Sequence, residues 1–131
     1  MGDVGIGIVT SSNYDHNLGN ARNVEFVKAY NEAYGRNPDI FSIGGYDGMH
    51  LIYEALKKAG GKTDGDSLIA AAKGMAWESP RGPVSIDPET RDIIENVYIR
   101  RVEKAPDGQL RNNEFDKIEN VKDPVKARMK N

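Results

Sequence analysis

The stretch Ser79-Pro-Arg-Gly-Pro-Val-Ser-Ile-Asp-Pro88 constrains this chain's fold more than any other ten residues in it. It holds three of the six prolines and has no helical period. Proline fixes φ and lacks an amide hydrogen, so neither a helix interior nor a central strand runs through such a segment. Before it, apolar residues recur at helical spacing; after it, the runs are β-branched and end in turn residues. The 131 residues are within the size of one ordinary domain. A single compact α/β domain fits the break only loosely, and a chain that crosses between two layers fits it better.

The elements on either side follow from local pattern. Val4-Gly-Ile-Gly-Ile-Val-Thr10 is apolar on both parities and reads as a buried strand. Ser11–Asn20 is a polar, turn-rich linker. Phe26, Val27, Tyr30, Ala33 and Tyr34 predict a helix over 24–34, with Asn23 able to cap it and Gly35 ending it. Ile40-Phe-Ser-Ile43 reads as a second short buried strand. A helix is predicted from about Gly48 to Ala59, with a Met49/Ile52/Leu56/Ala59 stripe and Gly60-Gly61 as its end. Thr63–Ser67 offers cap oxygens to a helix containing Leu68, Ile69, Ala72 and Met75. Beyond the break, 84–86 and 93–102 read as strands, Pro106-Asp-Gly108 as a hairpin turn, and 122–131 as a frayed end. Strand–helix alternation implies an α/β fold, with parallel β/α units followed by a β-rich C-terminal section.

The glycine corner at 44–48, "GGYDG", poses the chemical question. A dinucleotide loop wants Gly-x-Gly-x-x-Gly, and here Tyr46 and the anionic Asp47 fill the gap, so a phosphate would be repelled. Asp47, His50 and Glu54 could share one helical face, but two-histidine spacing is absent and no further strong ligand presents itself, so the row reads as solvated and no metal is expected. Ser11 and Ser12 lack a nucleophile elbow, and Asp64 and Asp66 suit helix caps better than a glycosidase pair, so no catalytic residue is assigned. His16, alone in the linker, is expected to be exposed. What survives is a ligand cleft, because open α/β sheets gather ligands beyond their strand ends. Its candidates are Ser12 and Tyr14 in the linker and Tyr46 and Asp47 in the corner. Asp47 can equally cap its own helix, and Tyr46 can equally be a packed aromatic.

Composition removes other classes. The chain has no cysteine, which excludes disulfide scaffolds and thiolate chemistry. No apolar run approaches a membrane span, and the first residues do not form a signal peptide. Net charge is −2, with a local excess of three positive charges over 100–131 that is interleaved with acids. Such a tail is a solvated mixed-charge face, not a nucleic-acid footprint. No cofactor is implied.

The ordered set "N-x-x-F-V-x-A-Y-x-x-x-Y-G-x-x-P", "G-Y-D" and "S-P-x-G-P-V", followed by "ENVYIRRVEKAPDGQL", resembles the C-terminal portion of a type I periplasmic solute-binding protein of the branched-chain amino-acid (Leu/Ile/Val) ABC-transporter family. That resemblance implies two α/β lobes closing on a small amino acid or aromatic acid, which is then presented to an ABC permease in the periplasm or outside the cell. On this scheme residues 1–10 and 84–118 are second-lobe elements, 11–20 and 77–83 interlobe crossovers, and 23–76 the first-lobe β/α part. Family members are more than twice this length, so the chain resembles a fragment, and its half-covered helices imply self-association. Two other outcomes fit the residues: a cytosolic ligand-sensing regulator of the same fold with a protein or RNA partner, and a small stand-alone α/β enzyme.

Overall fold

A computed structural model describes residues 2–128. The first half is helical, with α1 (Ala21–Tyr34), α2 (Ile40–Lys58) and α3 (Gly65–Ala72). The second half is a sheet, β2 (Ala76–Ser79), β3 (Gly82–Ile86), β4 (Ile93–Lys104) and β5 (Leu110–Val121), joined by β1 (Val9–Ser12) from the start of the chain. The change from helices to strands falls just before the proline-rich break. Among the described residues every strand pair is antiparallel, so the parallel pairing expected from strand–helix alternation does not occur within this chain. The fold is nevertheless a mixed α/β one with an open sheet.

Two expected strands are corrected. Ile40–Ile43 is the first turn of α2, because Asp39 caps it: its carboxylate accepts from the Phe41 and Ser42 amides, while the Ser42 side chain reaches back to the Asp39 amide. That reciprocal cap outweighs the β preference of a four-residue run. The glycines 44, 45 and 48 therefore lie inside a helix, not in a turn, and Asp47 does not cap it. At the other site, Gly2–Gly5 forms a 3-10 turn with Val4 90% exposed, and strand pairing starts only at Val9. Gly7, at φ +89, interrupts the extended run expected over 4–10.

The remaining boundaries agree more closely with the pattern. Asn20, not Asn23, caps α1 by accepting from the Asn23 amide, and Gly35 ends it at φ +65. Asp64 caps α3. The 79–83 break is a hairpin whose two-residue turn is Pro80-Arg81, with Ser79 opposite Gly82. Residues 105–109 turn β4 back into β5, with Gly108 at φ +81. The end expected to fray lies partly outside the described residues; within them Pro124–Arg128 make a short helical turn, α4.

β4 is the hub of the sheet, pairing with β1 through 98–101, with β3 through 93–94 and with β5 along most of its length. A register shift at Glu95/Val97 buries Asn96, whose side-chain oxygen accepts from the Asn120 amide and so holds the irregularity. The buried apolar cluster is small: Tyr14, Leu18, Ile43 and Tyr98, with Phe26 packed against it. Ile43 is fully buried, whereas Phe41, two residues earlier on the same helix, is 82% exposed.

Candidate functional site

Two polar assemblies sit where the linker, the helices and the sheet meet. The first is built on the linker. Tyr14 is buried, its hydroxyl donating to Asn23 Oδ1 at 2.9 Å. Asn23, fully buried on α1, donates in turn to the carbonyls of His16 and Leu18 at 3.0 and 2.8 Å. One amide side chain thus closes the linker's backbone hydrogen bonds where water cannot reach. Burial, with the neighbouring Asp15 charge adding to it, pushes the Tyr14 phenol well above its ordinary range, so it stays a neutral donor. Asp15 is held by Arg100 of β4 at 2.7 Å, and the Arg100 Nε–H finds no partner among the described residues.

A groove of about 240 Å³ opens beside this assembly, lined by Ser12, Tyr14, Asp15 and His16 of the linker, Pro38, Asp39 and Ile40 at the start of α2, and Arg100. Hydrogen bonds from the Ser42 and Phe41 amides keep the Asp39 carboxyl below its usual range, so it is ionised at neutral pH. The groove therefore presents a hydroxyl, an aromatic edge, a cation already paired with Asp15, and a second carboxylate, Asp39.

The second assembly is centred on Arg81, whose side chain is 8% exposed. Its Nη1 donates to Glu95 Oε2 of β4 at 2.7 Å. Its Nε lies 2.7 Å from Asp47 Oδ2 of α2, but that N–H makes no directed hydrogen bond, so the contact is an ion pair. Asp47 also accepts from Trp77 Nε1 at 3.1 Å and Ser79 Oγ at 2.9 Å. Glu95 also accepts from Asn13 Nδ2 at 2.8 Å. One buried and one partly buried carboxylate thus share one guanidinium, while three neutral donors satisfy further acceptor sites.

The four residues singled out from sequence separate between these assemblies. Ser12 and Tyr14 come together on the groove, with Ser12 Oγ donating to the Tyr14 carbonyl at 3.1 Å. Tyr46 is partly exposed on α2 and packs 4.9 Å from the Phe26 ring, which Tyr14 meets edge-on at 6.4 Å. Tyr14, Phe26 and Tyr46 therefore form one aromatic row. Asp47 faces inward and is engaged by Arg81, Trp77 and Ser79. Glu54 of the same helix pairs with Lys57 at 2.6 Å, so the Asp47/His50/Glu54 row converges on no common point. His16 is partly exposed beside Asp15.

Sequence reading missed Arg81, Glu95, Arg100 and Asn23. The signal available for Arg81 was an arginine flanked by Pro80 and Gly82 in a tight turn. Such a turn aims a long side chain back at its own strands.

Residues 2–109 match the family model described as periplasmic binding protein. The chain is 42% identical over 126 residues to Leu/Ile/Val-binding protein homolog 6 of Brucella abortus, covering 95% of this chain and 32% of that protein. A solute-binding protein of an ABC transporter from Rhodopseudomonas palustris BisB5, solved with 3,4-dihydroxybenzoic acid, superposes with a TM-score of 0.91 at 61% identity, covering 96% of this chain and 34% of the other. A second R. palustris solute-binding protein, solved with 4-hydroxybenzoate, gives 0.89 at 39% identity, with the same 96% and 34% coverage. The chain thus spans about a third of the length of the relatives it matches.

Proposed function

The chain belongs to the periplasmic binding protein family, and on that premise we propose that it is the C-terminal third of the solute-binding component of an ABC transporter. Its lobe assignments would be those implied by the family pattern: 1–10 and 84–118 in the second lobe, 23–76 in the first, with 11–20 and 77–83 as crossovers. The solute is a small aromatic carboxylic acid, with an amino acid as the competing class. The observation that carries this reading is the groove between linker and α2, where Ser12, the Tyr14 ring and Arg100 converge. An aromatic acid needs an apolar wall, a cation and a hydroxyl partner; the groove brings these together in Tyr14, Arg100 and Ser12, and the solute carboxylate would share Arg100 with Asp15. The similar proteins solved with 3,4-dihydroxybenzoic acid and 4-hydroxybenzoate point the same way.

In this reading Ser12 and Tyr14 touch the solute, Tyr46 extends the aromatic row beside it, and Asp47 acts from behind through Arg81. Closure of the two lobes follows by population shift, and the closed form docks on a permease from the periplasmic or extracellular side. Among the described residues no helix is long and apolar enough to cross a membrane. The 131-residue stretch alone self-associates through its exposed α2 stripe.

The experiment is a thermal-shift titration of the full-length protein with 3,4-dihydroxybenzoate, 4-hydroxybenzoate and leucine. A solute that binds only the folded state raises stability by about 2.7 kcal/mol at a hundred times its Kd. A midpoint that climbs with either benzoate supports the aromatic reading, and one that climbs only with leucine replaces it. A flat response to all three removes it.

A further inference from the structure

The Arg81 assembly lies off the groove, and its buried charge calls for an account of its own. Residue 81 engages three elements at once. Its guanidinium holds Asp47 of α2 and Glu95 of β4. Its backbone carbonyl accepts from Tyr98 Oη of β4 at 2.6 Å, and its backbone amide donates to Ser79 Oγ. The adjoining Pro80 carbonyl accepts from Asn20, at the end of the linker. The hairpin turn is therefore the point at which the helical half, the linker and the sheet are tied together.

The two ends of the guanidinium are held differently. Toward Glu95 the contact is a directed, charge-assisted hydrogen bond. Toward Asp47 it is a close ion pair without a directed bond. The 2.7 Å charge contact resists separation of α2 from the turn, and the directed bond to Glu95 orients the same guanidinium on β4. Burying three charges is a poor way to gain stability, since apolar packing of equal volume does as well or better. It is a good way to set one geometry, because the one guanidinium is shared by two carboxylates on different elements, and its removal leaves both unpaired. We propose that Arg81 is the positioning residue of a joint that fixes the angle of α2 against β4, and through that angle sets the affinity of the groove. The inference rests on the binding function proposed above only for its last clause.

The test is a distance measurement by paired spin labels on the full-length protein, without ligand, at Lys58→Cys near the end of α2 and Asp116→Cys on β5, both exposed. The parent protein gives one narrow distance distribution. Arg81→Met broadens it, Asp47→Asn broadens it while keeping the shape of the side chain, and Arg81→Lys restores most of the narrowness. Affinity for 3,4-dihydroxybenzoate falls about tenfold in Arg81→Met, within the usual range of coupling between sites, and returns to within about threefold of the parent in Arg81→Lys. A merely structural arginine would lower the melting temperature while leaving distribution width and affinity alone, and that result overturns the proposal. If Arg81→Met does not fold, Asp47→Asn and Arg81→Lys decide the question. Should the parent bind no benzoate, the proposed function fails, while the distance distributions still judge the joint.

Discussion

The helical half and the sheet half solve the problem of burial in opposite ways. Helix α2 is apolar on two sides: Ile43 and Ala55 face inward, while Met49 and Ile52 lie on the opposite side, 45% and 48% exposed. A helix apolar on both sides normally has cover on both. β5 instead carries Glu114, Asp116, Lys117 and Glu119 through its exposed stretch, a charged edge that discourages further pairing. The β5 edge is thus dominated by charge, although Phe115 and Ile118 are also exposed on it, whereas α2 leaves an apolar stripe open.

The comparison is sharpest in a pair of truncations. Ile43→Ala removes a fully buried side chain at the meeting of α2, linker and β4, and is expected to cost about 2–5 kcal/mol in urea unfolding. Ile52→Ala on the open stripe should cost well under 1 kcal/mol in the isolated stretch, as a substitution away from any core does. On the proposed reading, in which the rest of the protein covers the stripe, the same Ile52→Ala is expected to cost about 2 kcal/mol or more in the full-length protein. Equal costs in both forms would mean that the stripe stays open. In the sheet half, Gly82→Ala is next in size. Gly82 sits at φ +98, and a Cβ there would meet Tyr98 Oη at 2.6 Å, against a hydroxyl already bonded to the Arg81 carbonyl. A loss of about 1–3 kcal/mol is expected by thermal melting. Asp39→Ala tests the helical half at its cap and should lower stability by about 1 kcal/mol.

The smallest effect is a pH dependence in the sheet half. Hydrogen bonds from the Glu89 and Thr90 amides, with Lys122 bonded between them in strength, hold the Asp87 carboxyl down to about 2, from 3.8. A depressed folded-state value means its contribution is fully present above the unfolded value near 4 and is lost as pH falls toward 2. Acid titration of the β3–β4 turn by NMR should show that loss in the parent and none in Asp87→Asn.

How far the sequence was legible depended on whether a signal was local. The caps at Asp64 and Gly35, the Pro106–Gly108 turn and the proline break could be placed because each acts through its own neighbours. Ile40–Ile43 has the apolar, β-branched look of a strand, but the reciprocal cap between Asp39 and Ser42 makes it the first turn of a helix. The antiparallel sheet could not be read from strand–helix order, which says nothing about partners outside the chain. The linker's polarity singles out Ser12 and Tyr14, and both line the groove on which the proposed binding rests. Arg81, Glu95 and Arg100 were not legible, since their partners lie 14 to 85 residues away.

The most direct test of the account is calorimetric titration of the full-length protein with 3,4-dihydroxybenzoate, using leucine as the comparison. The account predicts one saturable site for the benzoate, weakened by Ser12→Ala and by Tyr14→Ala. Saturable binding of leucine alone, or an unchanged affinity in both variants, would contradict it.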